Sequence, residues 1–331
     1  MHSTRAIGDY YLHSNIFGSH FQSQQAVAPV SLLGDIQRYD MKKMILTVLS
    51  LFALQGCNRI DSLLWQPKMT PKQWCESMPC VELFSSGLTL TQPTSTLLIY
   101  FLGGLWLWVG WRFSRTDNGQ KSRRWWAIAM TLGGFAAIAA GTSYQAFGFE
   151  LKCADREFCT WTSWWEIAYL ALQMCSVNAM LAGVAYACTA GPMRRLMLAY
   201  AAMTTVVYCS VTAIGTLLPN KFMISFEMLV LFSTPALTTC FVINGWRYFE
   251  HKTHKDKVLL GAWGIMFGTN VLYYAYLLLG YTQTLWSKGF WFSANDVLHV
   301  LMLVWVWYVG TAVVRVLDDA DPQSVATNIS L

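Results

Sequence analysis

Seven apolar runs of about 20 residues or more, each ended by charged or turn residues, constrain this chain more than any other feature. They fall at roughly 94–113, 125–148, 164–188, 195–217, 222–246, 257–280 and 291–315. A run of this length crosses a bilayer as a helix, because only a helix or a closed barrel satisfies every backbone N–H and C=O away from water. Apolar residues make up 55% of the chain and charged residues 12%, well under the share of about 25% in a soluble domain. The expected fold is all-α, a polytopic seven-transmembrane-helix bundle over 94–316 with a tail at 317–331. The net charge of +5 is spread over short loops, so no nucleic-acid surface is expected.

The first 93 residues belong to other chemistry. Residues 1–40 are polar and without period, and are expected to be an upstream extension outside the fold. Met41-Lys42-Lys43, the short apolar run Met44–Leu54 and then Leu54-Gln55-Gly56-Cys57 have the layout of a secretory signal over 41–56. The run is too short to span a membrane. Leu-x-Gly-Cys resembles the bacterial lipobox, which implies lipidation of Cys57 and an extracytoplasmic segment at 57–93.

Orientation follows from loop charge, since Lys and Arg accumulate on the cytoplasmic side. The loops after spans 1, 3 and 5 carry eleven of them, from Arg112 to Lys257, against four (Lys152, Arg156, Lys221 and Lys288) in the opposite loops. The bias places the N-terminus outside and the C-terminus inside, in the plasma membrane of a bacterium, as an exported N-terminus also requires. Trp106, Trp108, Trp111, Trp125 and Trp126 lie near span ends, where an aromatic belt is expected. Cys75, Cys80, Cys153 and Cys159 all fall in segments assigned to the oxidising side and are disulfide candidates with three pairings open. Cys175, Cys188, Cys209 and Cys240 lie within spans, as small packing residues.

Ionisable and amide groups are costly in a membrane and mark candidate sites. Three polar clusters share one depth on the side assigned as outer. Span 2 ends with Ser143, Tyr144, Gln145 and Glu150; span 3 begins with Trp164, Trp165 and Glu166; span 7 begins with Ser293, Asn295, Asp296 and His299. Asp296 and His299 are three apart and share a helix face, which suits a metal site or a general base. Ser293, Asn295 and Asp296 also suit a helix N-cap. Glycine pairs at Gly103-Gly104 and Gly133-Gly134 suit close helix contact, and Ser233-Thr234-Pro235 suits a kink with hydroxyls at the freed carbonyl. Span 7 has no lysine, which excludes a retinal protein at the usual place, and no inverted repeat supports a transporter.

Three segments resemble the seven-span hydrolase superfamily of alkaline ceramidases and adiponectin-type receptors. Trp74-Cys75-Glu76 is similar to the Trp-Cys-Glu of a ceramidase calcium segment, which implies Glu76 and Glu82 as calcium-like ligands. Gly141-Thr142-Ser143 with Phe147 resembles the Ser-x-x-x-His motif, and Asn295-x-x-x-His299 resembles His-x-x-x-His. The resemblance implies a catalytic group of Ser143, Asp296 and His299, acting on a lipid amide or ester with Zn2+. The family's zinc has three histidines, whereas Phe147 and Asn295 replace two of them here and Gln73 replaces a calcium-segment Asp. A zinc ion would therefore draw on His299, Asp296 and a carboxylate, Glu150 or Glu166. Two functions follow: a membrane-embedded, metal-dependent lipid hydrolase, or a non-catalytic descendant that binds lipid or joins a membrane-protein complex.

Overall fold

A computed structural model describes residues 59–83 and 87–320. The expected upstream extension at 1–40, the expected signal sequence at 41–56, the lipidation candidate Cys57 and the tail from residue 321 lie outside the described residues. Seven helices are long and apolar enough to cross a membrane: Pro93–Arg115, Lys121–Ala146, Trp164–Cys188, Gly191–Leu217, Phe226–His251, His254–Leu278 and Ala294–Val316, spans 1 to 7. Three further α-helices are short: α1 (Pro71–Ser77) before span 1, α2 (Gly148–Lys152) between spans 2 and 3, and α3 (Tyr281–Trp286) between spans 6 and 7. An antiparallel hairpin, β1 (Cys80–Leu83) with β2 (Leu88–Thr91), pairs Cys80 with Thr91. The polar patterning before span 1 had not announced these strands.

Polar caps place several span starts a few residues from where hydropathy alone put them. Ser225 accepts from the Met228 N–H and begins span 5; Thr253 accepts from the Asp256 N–H and begins span 6. Ser293 and Asp296 form a reciprocal capping box that begins span 7, the cap expected from those residue types. Pro93 and Pro192 occupy first-turn positions of spans 1 and 4, where the missing N–H costs nothing.

Span 3 is the axis of the bundle. It is buried along 72% of its apolar window, against 22% for span 5. Val177, Met180, Leu181 and Val184 meet Met130 of span 2, Trp263 of span 6 and Trp305 of span 7 in one core. The glycines explain how spans approach so closely. A Cβ on Gly133 would sit 2.1 Å from the Trp106 ring, and one on Gly134 would meet the Gly103 carbonyl at 3.0 Å. A Cβ on Gly104 would meet nothing within 4 Å among the described residues. Trp106 and Trp126 are buried core residues, packed on Trp305 and Trp263. They therefore leave the expected aromatic belt, while Trp108 and Trp111 stay exposed on the bundle's flank. Composition near a helix end reports depth but not facing, and these two face inward. In span 5 the Ser233 and Thr234 hydroxyls donate to the Val230 carbonyl. The carbonyl that Pro235 frees is that of Leu231, one residue on, so these hydroxyls serve a different acceptor.

The two bundle ends are built differently. At one end Arg247 pairs with the buried Asp256 at 2.9 Å, and Asp319 accepts from the Lys121 and Ser122 N–H groups at the start of span 2. At the other end lie α1, the hairpin, α2 and two disulfides, Cys75–Cys80 and Cys153–Cys159. Each expected half-cystine is thus bonded to its sequence neighbour. Cys175, Cys188, Cys209 and Cys240 are free thiols within spans.

Candidate functional site

The disulfide-bearing end gathers the polar groups singled out in the sequence into two clusters. The first is set by the end of span 2, where the helix widens to π geometry over Gly141–Ala146. π segments re-aim side chains and often mark functional positions. Here Ser143 is fully buried, its Oγ 2.8 Å from Glu166 Oε1 and 2.7 Å from Ser163 Oγ. The chain then turns through α2, whose last residue, Lys152, comes back over span 3. Its ammonium donates to the same Glu166 Oε1 at 2.7 Å, with both side chains under 5% exposed. The Trp74 and Tyr144 rings lie 5.2 and 5.1 Å from that ammonium and supply cation–π attraction.

Neighbouring backbone fixes this arrangement. The fully buried Cys153–Cys159 disulfide follows Lys152 directly, and the Lys152 carbonyl accepts from the Thr160 N–H at 2.8 Å. Glu150, on the same short helix, accepts from the Thr89 N–H at 2.7 Å, and Thr91 Oγ1 donates to the Gln145 carbonyl. The hairpin and α1 therefore close over the first cluster as a cap.

The second cluster joins spans 1 and 7. Asp296 is buried, and both carboxylate oxygens are engaged. Oδ1 accepts from Ser95 Oγ at 2.8 Å; Oδ2 accepts from the Ser293 N–H at 2.5 Å and from Ser293 Oγ at 2.8 Å. His299 lies one turn deeper, 6% exposed, and its Nδ1 has no hydrogen-bond partner among the described residues. A pocket of about 160 Å³ opens beside this cluster, lined by Gln92, Tyr273, Ser293 and Asn295 among others.

Ser143 and Glu166 are thus brought together, as are Asp296 and its capping serine, but in separate groups. Among the described residues no three His, Cys, Asp or Glu side chains come together to hold a metal. Glu166, expected as a third zinc ligand, has its Oε1 taken by Lys152 and Ser143. This donor set does not fit a zinc ion held by His299, Asp296 and Glu166. Glu76, of the calcium-like pair, meets Lys72 at 3.9 Å on an exposed face of α1, and Glu82 is exposed on β1. Trp164 and Trp165 are exposed at the start of span 3.

Lys152, Ser95 and Ser163 were missed in the sequence. Lys152 reads there as an ordinary loop cation. The available signal was its place beside Cys153, since a half-cystine pins its neighbour.

The fold and site define a class, a polytopic seven-helix membrane protein with a disulfide-bonded cap over buried polar clusters. The model of a family of unknown function, DUF6962, matches residues 94–318, and the chain belongs to that family. No curated protein and no solved structure matches it.

Proposed function

We propose that this protein is a non-catalytic, lipid-binding subunit of a bacterial plasma membrane, built on a ceramidase-like seven-helix plan. The observation that carries this reading is the engagement of the buried carboxylates at the capped end by protein donors. Activating water needs a base with a free lone pair facing the substrate. Asp296 accepts three hydrogen bonds from Ser95 and Ser293, and Glu166 is held as the ion-pair partner of Lys152, so both are tied to protein donors. Loss of two family histidines, at Phe147 and Asn295, points the same way.

The bound molecule is an amphiphile. The small polar-rimmed pocket at Ser293 and Asn295 abuts the outer half of span 6, where Val271, Leu272 and Leu278 are exposed. A lipid headgroup in the pocket would lay its acyl chains along that flank, burying apolar surface worth about 25 cal/mol per Å². The loop-charge bias of eleven to four puts the capped end outside.

A second reading, the lipid hydrolase, draws on one feature: the Nδ1 of His299, one turn from Asp296 and without a partner among the described residues. The two are separated by incubating the purified protein in liposomes with lipid amides and esters. Neither the wild type nor His299→Ala is expected to release fatty acid above the protein-free rate. Turnover by the wild type that His299→Ala abolishes, with the bundle still folded, would establish the hydrolase instead.

A further inference from the structure

The two disulfides of the cap have opposite surroundings. Cys153 and Cys159 are fully buried against Trp74. Cys75 and Cys80 are partly exposed and line a groove of about 350 Å³ together with Pro71, Lys72, Glu82 and Phe149. Access of an attacking thiolate to sulfur decides which disulfide exchanges. We propose that Cys75–Cys80 is a thiol–disulfide exchange site for a dithiol carried by an extracytoplasmic protein, while Cys153–Cys159 is a structural staple. The side assignment rests on the orientation given above; the exchange chemistry does not.

The groove also sets the direction of attack. Lys72 precedes Cys75 by three residues on α1, hence on the same helix face, and lines the same groove. Its ammonium, which also meets Glu76 at 3.9 Å, would favour a thiolate at Cys75 over one at Cys80 and so make Cys75 Sγ the better leaving group. One partner thiolate therefore attacks Cys80 Sγ, forming a mixed disulfide as the Cys75–Cys80 bond breaks and its electron pair leaves with Cys75. The partner's second thiolate then attacks its own sulfur in that mixed disulfide and expels Cys80 as a thiolate. Two protons from solvent complete the two thiols. The chain is reduced by two electrons and the partner is left as a disulfide.

The consequence reaches the buried ion pair. Cys75–Cys80 joins the end of α1 to the first residue of the hairpin, and the neighbouring Trp74 covers Lys152 at 5.2 Å. Opening this bond frees α1 from the hairpin and loosens the lid over Lys152 and Glu166.

The test is graded reduction of the full chain in detergent with dithiothreitol, followed by alkylation and mass mapping. Cys75 and Cys80 are expected to become labelled at a reductant concentration at least about tenfold below that needed for Cys153 and Cys159. Lys72→Gln is expected to slow that first step severalfold without altering the second. Reduction of both pairs together, or of Cys153–Cys159 first, overturns the exchange site. The same labelling in spheroplasts with a membrane-impermeant alkylator is expected to reach Cys75 and Cys80. Labelling only after permeabilisation overturns the extracytoplasmic partner and the orientation with it.

Discussion

Glu166→Gln and Lys152→Met are each expected to destabilise the folded bundle by about 3–5 kcal/mol, because each leaves the other charge buried and unpaired. The ammonium of Lys152 and the carboxylate of Glu166 lie 2.7 Å apart at 2% and 4% side-chain exposure. Water reaches neither, so losing one partner exposes the full desolvation cost of the other. The double variant, Lys152→Met with Glu166→Gln, is expected to recover most of the loss, since a well-packed neutral pair often matches a buried ion pair in stability. Denaturant titration in mixed micelles measures all three. Single variants that unfold like the wild type, or a double variant whose loss is the sum of the two, would show that the pair is not coupled as described.

Asp296→Ala is expected to cost about 2–4 kcal/mol, from the loss of hydrogen bonds to a charged acceptor and of a helix cap. Ser95 Oγ, Ser293 Oγ and the Ser293 N–H all donate to this carboxylate; without it the N–H loses its acceptor and the two hydroxyls keep only each other, 3.4 Å apart. Ser95→Ala removes one of these bonds and is expected to cost about 1 kcal/mol. The sign matters more than the size. A carboxylate kept for catalysis is commonly held at the expense of stability, and removing it stabilises the fold. A higher unfolding midpoint for Asp296→Ala would therefore contradict a structural role and favour the hydrolase.

These residues also show what could be read before the structure. The spans were legible because a bilayer leaves little choice: backbone groups must pair internally, and 20-residue apolar runs are hard to mistake. The capping box of Ser293 and Asp296 was legible because it is local, with donor and acceptor three residues apart. Gly103, Gly133 and Gly134 signalled close packing, which their contacts bear out. The Lys152–Glu166 pair was not legible. It depends on a π widening at Gly141–Ala146, a five-residue helix and a disulfide acting together to fold Lys152 back over span 3. The π widening and the short helix have no strong local signature, and the disulfide's pairing was one of three left open. Trp106 and Trp126 were misplaced for a related reason, since the angular position of a side chain depends on neighbours that a lone span does not reveal. Of the site residues that the resemblance implied, Ser143 bonds to Glu166 and Asp296 to Ser95, with no hydrogen bond between the two groups, and His299 Nδ1 has no partner among the described residues.

The central claim is that the capped end holds lipid and performs no chemistry on it. Native mass spectrometry of the full protein, released from detergent at neutral pH, tests this most directly. The account predicts a bundle carrying lipid at near one-to-one stoichiometry and no added metal mass, unchanged by His299→Ala. A zinc ion bound at near one-to-one stoichiometry in the wild type and lost in His299→Ala would contradict it.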